Sequence, residues 1–192
     1  MLIGGQSLPM KLESVFGPIR EGWAVPAIET VEAGVQVVSF AGTRFTPPVL
    51  ATLGLSDHIL NSRQSQRGIR IELVCPEGTD RTLFVPLLMM VSQRIIQSHD
   101  AVLRGDWLSI SGLSSDWFGF YMTLPIFIDE VDHAIQAGNE IVNLVWAIPI
   151  KQAEAYFIDR SGWQAWEDVL ENNFDKLSDP CRASFVEADA AS

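Results

Sequence analysis

Histidines are the first residues to consider for catalysis or metal binding, and this chain has three of them. They lie far apart in the sequence, at His58, His99 and His133. Only His133 has carboxylates at ligand spacing, namely Asp129, Glu130 and Asp132. A metal centre needs several ligands at suitable spacing, and an acidic stretch between two strands is more often a solvated loop. We therefore predict no metal and no cofactor, with a weak divalent-cation site at this loop as the alternative.

The segment Ser56-Asp57-His58 contains the three residue types of a hydrolase triad. Adjacent residues cannot form the required line of hydrogen bonds from nucleophile to base to orienting acid, and the glycine pattern of a nucleophile elbow does not surround them. Cys75 follows a strand-like run and has no basic neighbour in sequence that would activate its thiol. Because the sequence also contains no glycine-rich phosphate loop, we predict that the protein is not an enzyme.

Two carboxylates remain, Asp57 and Glu72, with three arginines between them. The arginines are Arg63, Arg67 and Arg70. One interpretation is a set of surface salt bridges, which usually contribute little. The other is an acidic recess that receives a basic or polar segment of a partner protein. The residues alone leave both interpretations open.

Charge and composition limit the classes of partner. The chain has 24 acidic and 13 basic residues, a formal net charge of −11 and a sequence pI of about 4.6. Such a surface repels nucleic acid and anionic membranes and attracts a basic protein. Six Trp and 10 Phe residues can supply both a core and a contact surface for a protein. We predict that the partner is another protein, and neither nucleic acid nor membrane.

Length and apolar content predict a single domain over residues 1–192, with its core at about residues 11–185. The longest apolar stretches, residues 83–91 and 141–150, are too short for a membrane-spanning helix. The first residues do not resemble a secretory signal, and Cys75 and Cys181 show no disulfide pattern. We therefore expect a cytoplasmic protein with free thiols.

The elements that must position Asp57 and Glu72 are visible in the hydrophobic pattern. Apolar residues alternate over residues 69–75, which predicts a strand that carries Glu72. A short strand leads into a turn over residues 54–57, which exposes the carboxylate of Asp57 beside a glycine that lets another backbone approach. Apolar residues at helical spacing predict a helix over residues 84–98. This helix is expected to pack on the sheet through Leu88, Val91 and Ile95.

The remaining pattern completes an α+β fold. Further strands are predicted at residues 34–40, 49–55, 106–111, 117–124 and 141–148, and an acidic loop at 129–140. Other helices are predicted at residues 11–16, from Pro149 to Phe157, and up to Asn172 from an N-cap at Ser161. The fold class is therefore a single domain with a mixed, largely antiparallel β-sheet flanked by α-helices.

Two short motifs surround the carboxylates. The first is the turn Thr52-Leu53-Gly54-Leu55-Ser56-Asp57, and the second is the strand Gly68-Ile69-Arg70-Ile71-Glu72-Leu73. Together they resemble the paired signature of the Suppressor of Fused family. Further matches, within a region from about Leu12 to Phe185, are the helix at residues 87–98, Leu103-Arg104-Gly105-Asp106, the passage from strand 141–148 to Pro149, Glu154 and Gly162.

The resemblance implies a binding protein. Animal members are intracellular regulators that take a segment of a transcription factor as an added strand in a cleft, held by acidic residues of the turn and strand. Carried over to this sequence, the partner-binding acids are Asp57 and Glu72, and the turn contributes Gly54 and Ser56. Compact bacterial members are associated with immunity proteins that neutralise a cognate toxin. The resemblance thus implies an immunity protein, with a regulatory scaffold that binds a partner peptide by strand addition as the alternative.

Overall fold

The computed structural model describes residues 7–24, 34–44, 46–63, 65–78, 81–110, 117–177, 179 and 182–187. Within these residues the strands are β1 (Ile19–Ala24), β2 (Gln36–Phe40), β3 (Val49–Leu53), β4 (Leu60–Ser62), β5 (Ser65–Pro76), β6 (Trp107–Ser109), β7 (Trp117–Thr123), β8 (Ala134–Ala137) and β9 (Glu140–Lys151). The helices are α1 (Leu8–Phe16), α2 (Arg81–Ser98), α3 (Gln152–Ser161) and α4 (Trp163–Glu171). Short 3-10 turns lie at Leu55–Asp57, Glu130–Asp132 and Phe174–Lys176.

A parallel pair of long strands, β5 and β9, forms the centre of the sheet. The strand order is β1-β2-β3-β5-β9-β7-β6, with β4 and β8 paired outside this path. The parallel pairing runs from Arg70 opposite Val142 to Val74 opposite Trp146. The other pairings between the named strands are antiparallel. The predicted α+β class, with a mixed and largely antiparallel sheet, is therefore confirmed.

Both central strands change neighbours along their length. The C-terminal part of β5 pairs with β3, and its N-terminal part pairs with β4. In the same way β9 pairs with β7 through its C-terminal part and with β8 through its N-terminal part. The sheet therefore forks at one end, where β4 and β8 lie on the outer sides of the parallel pair.

Each face of the sheet is covered by its own hydrophobic cluster. On one face α2 buries the predicted residues Leu88, Val91 and Ile95. On the opposite face α1, α3 and α4 bury Leu12, Phe16, Ala155 and Trp166. The predicted packing of α2 is confirmed, and the helix begins slightly earlier than predicted, at Arg81. None of the described helices is both long and apolar enough to span a membrane.

The prediction that Pro149 begins a helix is wrong, because Pro149 lies inside β9 and α3 begins at Gln152. Proline is excluded from a strand interior only where its missing N–H would bond to a neighbour. Pro149 lies opposite Phe120. Phe118 and Met122, two positions before and after Phe120, bond to residues 105–110 around β6, so the backbone groups of Phe120 also point towards β6 and away from β9. The carbonyl oxygen of Pro149 accepts a hydrogen bond from Arg182. The position therefore requires no N–H from β9, and the strand continues through it.

The prediction that Ser161 caps the last helix is also wrong. Ser161 is the final residue of α3, and Gly162 separates α3 from α4, which begins at Trp163. Gly162 has a φ of 86°, a positive value that glycine adopts more readily than other residues and that ends the helix. The glycine, rather than the serine, therefore sets the boundary between the two helices.

The predicted acidic loop over residues 129–140 contains regular structure. The 3-10 turn Glu130–Asp132 is followed by β8, which pairs with β9 across the two-residue turn Gly138-Asn139. Gly138 has a φ of 61°, as tight hairpin turns require. The short strands β1 and β4 were likewise not predicted, and residue 111 of the predicted strand 106–111 lies outside the described residues.

Val91→Asp tests the packing of α2 on the sheet. We expect a loss of about 4 kcal/mol or more in unfolding free energy, because Val91 is fully buried and an aspartate there would be unpaired. Met90→Asp, one position along the helix and 38% exposed, is the matched control and should cost only about 1 kcal/mol. Chemical denaturation of both variants measures the difference, and equal losses would contradict the packing of this face.

Candidate functional site

The turn between β3 and β4 is folded tightly against the rest of the chain. Gly54 has a φ of 101°, and a Cβ atom there would collide with the carbonyl oxygen of Gly34. In the 3-10 turn that follows, Leu55 and Ser56 are buried whereas Asp57 is exposed. The backbone that approaches Gly54 thus belongs to this chain, and the expectation that the glycine admits a partner's backbone is wrong.

Glu72 is completely buried, and its carboxylate holds the turn through four hydrogen bonds. Oε1 accepts from the backbone N–H groups of Gly54 at 3.0 Å and Ser56 at 3.1 Å, and from the Ser56 hydroxyl at 2.7 Å. Oε2 accepts from the Thr52 hydroxyl at 2.5 Å. Because every donor comes from residues 52–56, this one carboxylate fixes the whole turn against β5.

The network fills the place where β5 changes from one neighbour to another. The pairings with β3 and β4 leave Glu72 and Leu73 without a strand partner on that side. There the Thr52 hydroxyl accepts a hydrogen bond from the N–H of Leu73 at 2.8 Å and donates its own proton to Glu72. Side chains therefore satisfy backbone groups that a continuous strand would have paired.

Arg70 supports the turn from its outer side. Its Nη1 donates to the carbonyl oxygens of Ser56 at 2.6 Å and Asp57 at 3.1 Å, and its Nε forms an ion pair with Glu140 at 3.3 Å. The arginine thus binds the backbone of the turn rather than the carboxylate of Asp57 or Glu72. This arrangement contradicts the interpretation in which Glu72 belongs to a surface salt bridge.

Asp57 is the member of the site that faces solvent. Its carboxylate does not cap the turn, and no described residue donates a hydrogen bond to it or pairs with it. The structure therefore brings the four predicted site residues together but gives them different positions. Ser56 and Glu72 are buried, Gly54 is half-buried, and Asp57 exposes its carboxylate to solvent.

The residues considered for catalysis do not form a catalytic set. The Ser56 hydroxyl donates to Glu72, so it is engaged away from His58. Cys75 is buried, and desolvation raises the pKa of its thiol to about 12, which keeps it protonated and unreactive. Among the residues that the structure describes, no group of three or more His, Cys, Asp or Glu side chains is arranged to hold a metal ion.

A second buried carboxylate, Glu154, anchors the C-terminal segment. It forms a two-pronged ion pair with Arg182, at 2.5 and 2.9 Å, and both side chains are almost fully buried. Glu154 also accepts from the backbone N–H groups of Lys151 at 2.7 Å and Phe185 at 2.9 Å. Glu154 belongs to the motif matches in the sequence, but its partner lies 28 positions later and no sequence pattern connects the two.

A third carboxylate with several hydrogen-bond donors, Glu167, lies near the Gly105-Asp106 turn. Glu167 accepts hydrogen bonds from Arg104, from the Tyr121 hydroxyl at 2.9 Å and from the Thr123 hydroxyl at 2.7 Å. Partial burial acts to raise the pKa of Glu167, but these donors and the charge of Arg104 outweigh it, so the pKa is lowered. Glu167 therefore stays ionised and ties α4 to β7.

The burial of Glu72 makes the stability of the turn sensitive to pH. Desolvation raises the pKa of Glu72 from 4.5 to about 7, although its hydrogen bonds with Thr52, Ser56 and Gly54 act in the opposite direction. The folded protein therefore binds the proton of the Glu72 carboxyl group more tightly than the unfolded chain does. The contribution of this proton to the unfolding free energy is complete below about pH 4.5 and is lost as the pH rises through about 7.

Glu72→Gln tests this pH dependence. We expect the unfolding free energy of the unaltered protein to fall by roughly 3 kcal/mol relative to the variant across this window, because only the carboxyl group can lose a proton. Denaturant unfolding at several pH values measures the difference between the two proteins. Parallel curves over the whole range would show that Glu72 keeps its ordinary pKa in the fold.

Comparisons with known proteins agree with this architecture. A curated relative is immunity protein YqcF of Bacillus subtilis (strain 168), which is 25% identical over 140 residues that cover 71% of this chain and 73% of the relative. A SUFU homolog from Neisseria gonorrhoeae has a similar structure, with a TM-score of 0.68, 17% identity and coverage of 93% of this chain and 94% of that one. A chain of the Sufu-Fu complex gives a TM-score of 0.65 at 13% identity, with coverage of 93% and 90%.

Drosophila Suppressor of Fused shares the fold over part of its length. Its TM-score is 0.56 at 13% identity, and the match covers 79% of this chain but only 42% of the Drosophila chain. The family model for Suppressor of fused protein (SUFU) matches residues 32–183, which include the turn, Glu72, α2 and Glu154. The chain therefore belongs to the Suppressor of fused protein (SUFU) family.

Proposed function

We propose that this chain is a non-enzymatic immunity protein, which binds a cognate toxin and neutralises it through a surface centred on Asp57. The observation that carries the proposal is the state of the Asp57 carboxylate. It is exposed and has no partner among the described residues, yet the turn beneath it is held by a buried network. An acid that stabilises nothing in its own chain is free to pair with a cation of another protein.

The buried network prepares the turn for binding. Glu72 and Arg70 fix the turn from opposite sides, so its backbone loses little conformational freedom when a partner arrives. In this proposal Asp57 contacts the partner directly. Gly54, Ser56 and Glu72 belong to the site because they shape it, and their substitution would act through the position of Asp57.

The net charge of the chain and its similarity to an immunity protein support a toxin as the partner. The chain carries a net charge of −11, which favours rapid association with a cationic surface such as a positively charged active site of a toxin. A curated relative is named an immunity protein. We infer that this chain acts in the cytoplasm of the cell that it protects, where the thiol of Cys75 stays reduced.

A regulatory scaffold is the second candidate function. The specific observation in its favour is the likeness to a chain of the Sufu-Fu complex, which covers almost the whole of this chain. In this case the partner would be a cellular protein, with one of its segments added to the sheet as a strand. Gene context separates the two candidates, because an immunity gene lies beside the gene for its toxin.

Protection of cells tests the immunity function. The neighbouring gene is expressed from an inducible promoter in a host cell, with and without this chain. We expect growth arrest by the neighbouring gene alone and normal growth when this chain is present, because the complex blocks the toxin. Growth arrest that persists despite soluble, abundant expression of this chain would rule out immunity against that toxin.

Asp57→Arg tests the binding surface with the same toxin. We expect affinity to fall by roughly 2 kcal/mol or more, a factor of about 30, while the melting temperature barely moves, because the carboxylate bonds to no described residue of the fold. Titration calorimetry and thermal unfolding measure both quantities on one sample. A drop in stability with unchanged affinity would instead assign Asp57 a structural role.

Glu171→Arg provides the matched control. Glu171 is exposed at the end of α4, on the face of the sheet opposite α2, and this substitution changes the net charge by the same amount. We expect its affinity for the toxin to stay within about twofold of the unaltered protein, since exposed charges outside an interface act weakly. An equal loss in both variants would mean that overall charge, and not Asp57, determines binding.

A further inference from the structure

A groove borders the outer edge of β8, on the opposite side of the parallel strand pair from Asp57. One wall is α1, with Ser14 and Val15, and the other is the segment 126–132 that precedes β8. Two adjoining recesses share Ser14, Val15 and Asp132, and the larger encloses about 430 Å³. Recesses of about this size accept small ligands or the side chains of a peptide.

The edge of β8 beside this groove has unpaired backbone groups. The N–H of Leu144 donates to the carbonyl oxygen of His133, and in an antiparallel ladder such bonded positions alternate with positions that point outward. Ala134 and Gln136 occupy the outward positions. No described backbone group bonds to either of them from outside the hairpin. Helix α1 does not close this edge, because it packs beneath the sheet through Leu12 and Phe16.

Carboxylates at the groove have no partners among the residues that the structure describes. Asp129, Glu130 and Asp132 lie within four positions of one another, and no described residue forms an ion pair with them or donates a hydrogen bond to their side chains. Asp129 and Asp132 line the larger recess, and one cation, Lys11, lines the smaller one. The local charge is therefore negative, and no described residue of this chain neutralises it by an ion pair.

Exposed apolar side chains lie in the same segment. Val131 is 81% exposed, and Ile126 is 59% exposed. Exposed valine and isoleucine beside an open strand edge invite contact with another chain, and natural proteins usually protect such edges with nearby charge. The three carboxylates provide that charge, so a second copy of this acidic chain would be repelled, whereas a cationic segment would be attracted.

We propose that this groove is a second docking site, which binds an extended segment of a partner protein that carries lysine or arginine side chains. The segment pairs with β8 through the outward backbone groups of Ala134 and Gln136. Its basic side chains meet Asp129 and Asp132, and apolar side chains between them cover Val131. The proposal goes beyond the surface centred on Asp57 and does not depend on its occupant, since the two surfaces lie on different sides of the parallel pair.

A synthetic peptide of alternating lysine and valine, acetylated and amidated at its ends, is the probe for this site. Binding to the full chain is followed by the shifts of backbone amide signals in NMR spectra. We expect the largest shifts at Ala134 and Gln136. Two further peptides carry N-methyl groups, one on the backbone nitrogens of its valines and the other on those of its lysines. One of the two should bind at least about tenfold more weakly, because either the valine or the lysine N–H groups donate the hydrogen bonds to β8.

Variants of the protein test the side-chain contacts. We expect the double variant Asp129→Lys and Asp132→Lys to bind the peptide at least about tenfold more weakly, and Val131→Ser about threefold more weakly. Glu171→Lys should remain within about twofold of the unaltered protein. Thermal unfolding of each variant shows that the fold is intact, and Val131→Ser keeps the test valid if the double variant does not fold.

Several results would overturn the docking site. These are shifts centred away from β8, equal binding by all three peptides, or unchanged affinity of both groove variants. Self-association of the protein through β8, seen as a concentration-dependent mass in light scattering that the peptide abolishes, would assign the groove to a second copy instead. Each of these outcomes leaves the Asp57 surface unaffected, because that surface is measured separately with the toxin.

Discussion

The fold depends on a single buried carboxylate at the point where the central strand β5 changes neighbours. Where a strand loses its neighbour halfway along, its backbone N–H and C=O groups need other hydrogen-bond partners. The segment that connects the two neighbouring strands must also be held in place. Glu72 meets both needs, since it accepts two backbone N–H groups and two hydroxyls from residues 52–56. Burial of a carboxylate costs several kcal/mol unless such donors compensate it. The loop that carries Asp57 therefore takes its shape from the interior of the protein.

Glu154 performs a related task at the start of α3. It accepts backbone N–H groups at the start of α3 and from the C-terminal segment, and the buried guanidinium of Arg182 balances its charge. A buried ion pair of this kind contributes less net stability than apolar residues of the same volume would, but breaking it leaves an uncompensated charge. Its effect here is geometric, because it defines where residues 182–187 lie.

Sequence patterns predicted the elements that are long and strongly periodic. The alternation that defines β5 and the helical spacing of Leu88, Val91 and Ile95 both correspond to the structure. Strand β1 is mostly exposed and shows no alternation of buried apolar residues, and β4 and β8 have only three and four residues. The pairing of these strands depends on contacts that no local pattern reveals. Pro149 was misassigned because its effect depends on which way the strand's N–H would point, and this direction is set by β7.

The candidate site was predicted as a group of residues but not as an arrangement. Gly54, Ser56, Asp57 and Glu72 do lie together, as their motifs implied. Sequence could not show that Glu72 points inward, because an acidic residue at the polar position of an alternating strand is normally exposed. The donors that make its burial tolerable come from another strand and turn, and only the three-dimensional fold brings them to it.

The parallel pairing of β5 with β9 has a consequence for synthesis of the chain. Arg70 lies opposite Val142, so the two central strands are separated by about 70 positions in sequence. While the ribosome is still making residues 140–151, β5 has its antiparallel neighbours β3 and β4 but lacks the strand that covers its other edge. Hairpins of the N-terminal half can form during translation, whereas the sheet is completed only when β9 emerges. In a nascent chain of this protein, one edge of the central strand β5 therefore stays without its partner until late in synthesis, a state in which strands are prone to pair with other chains.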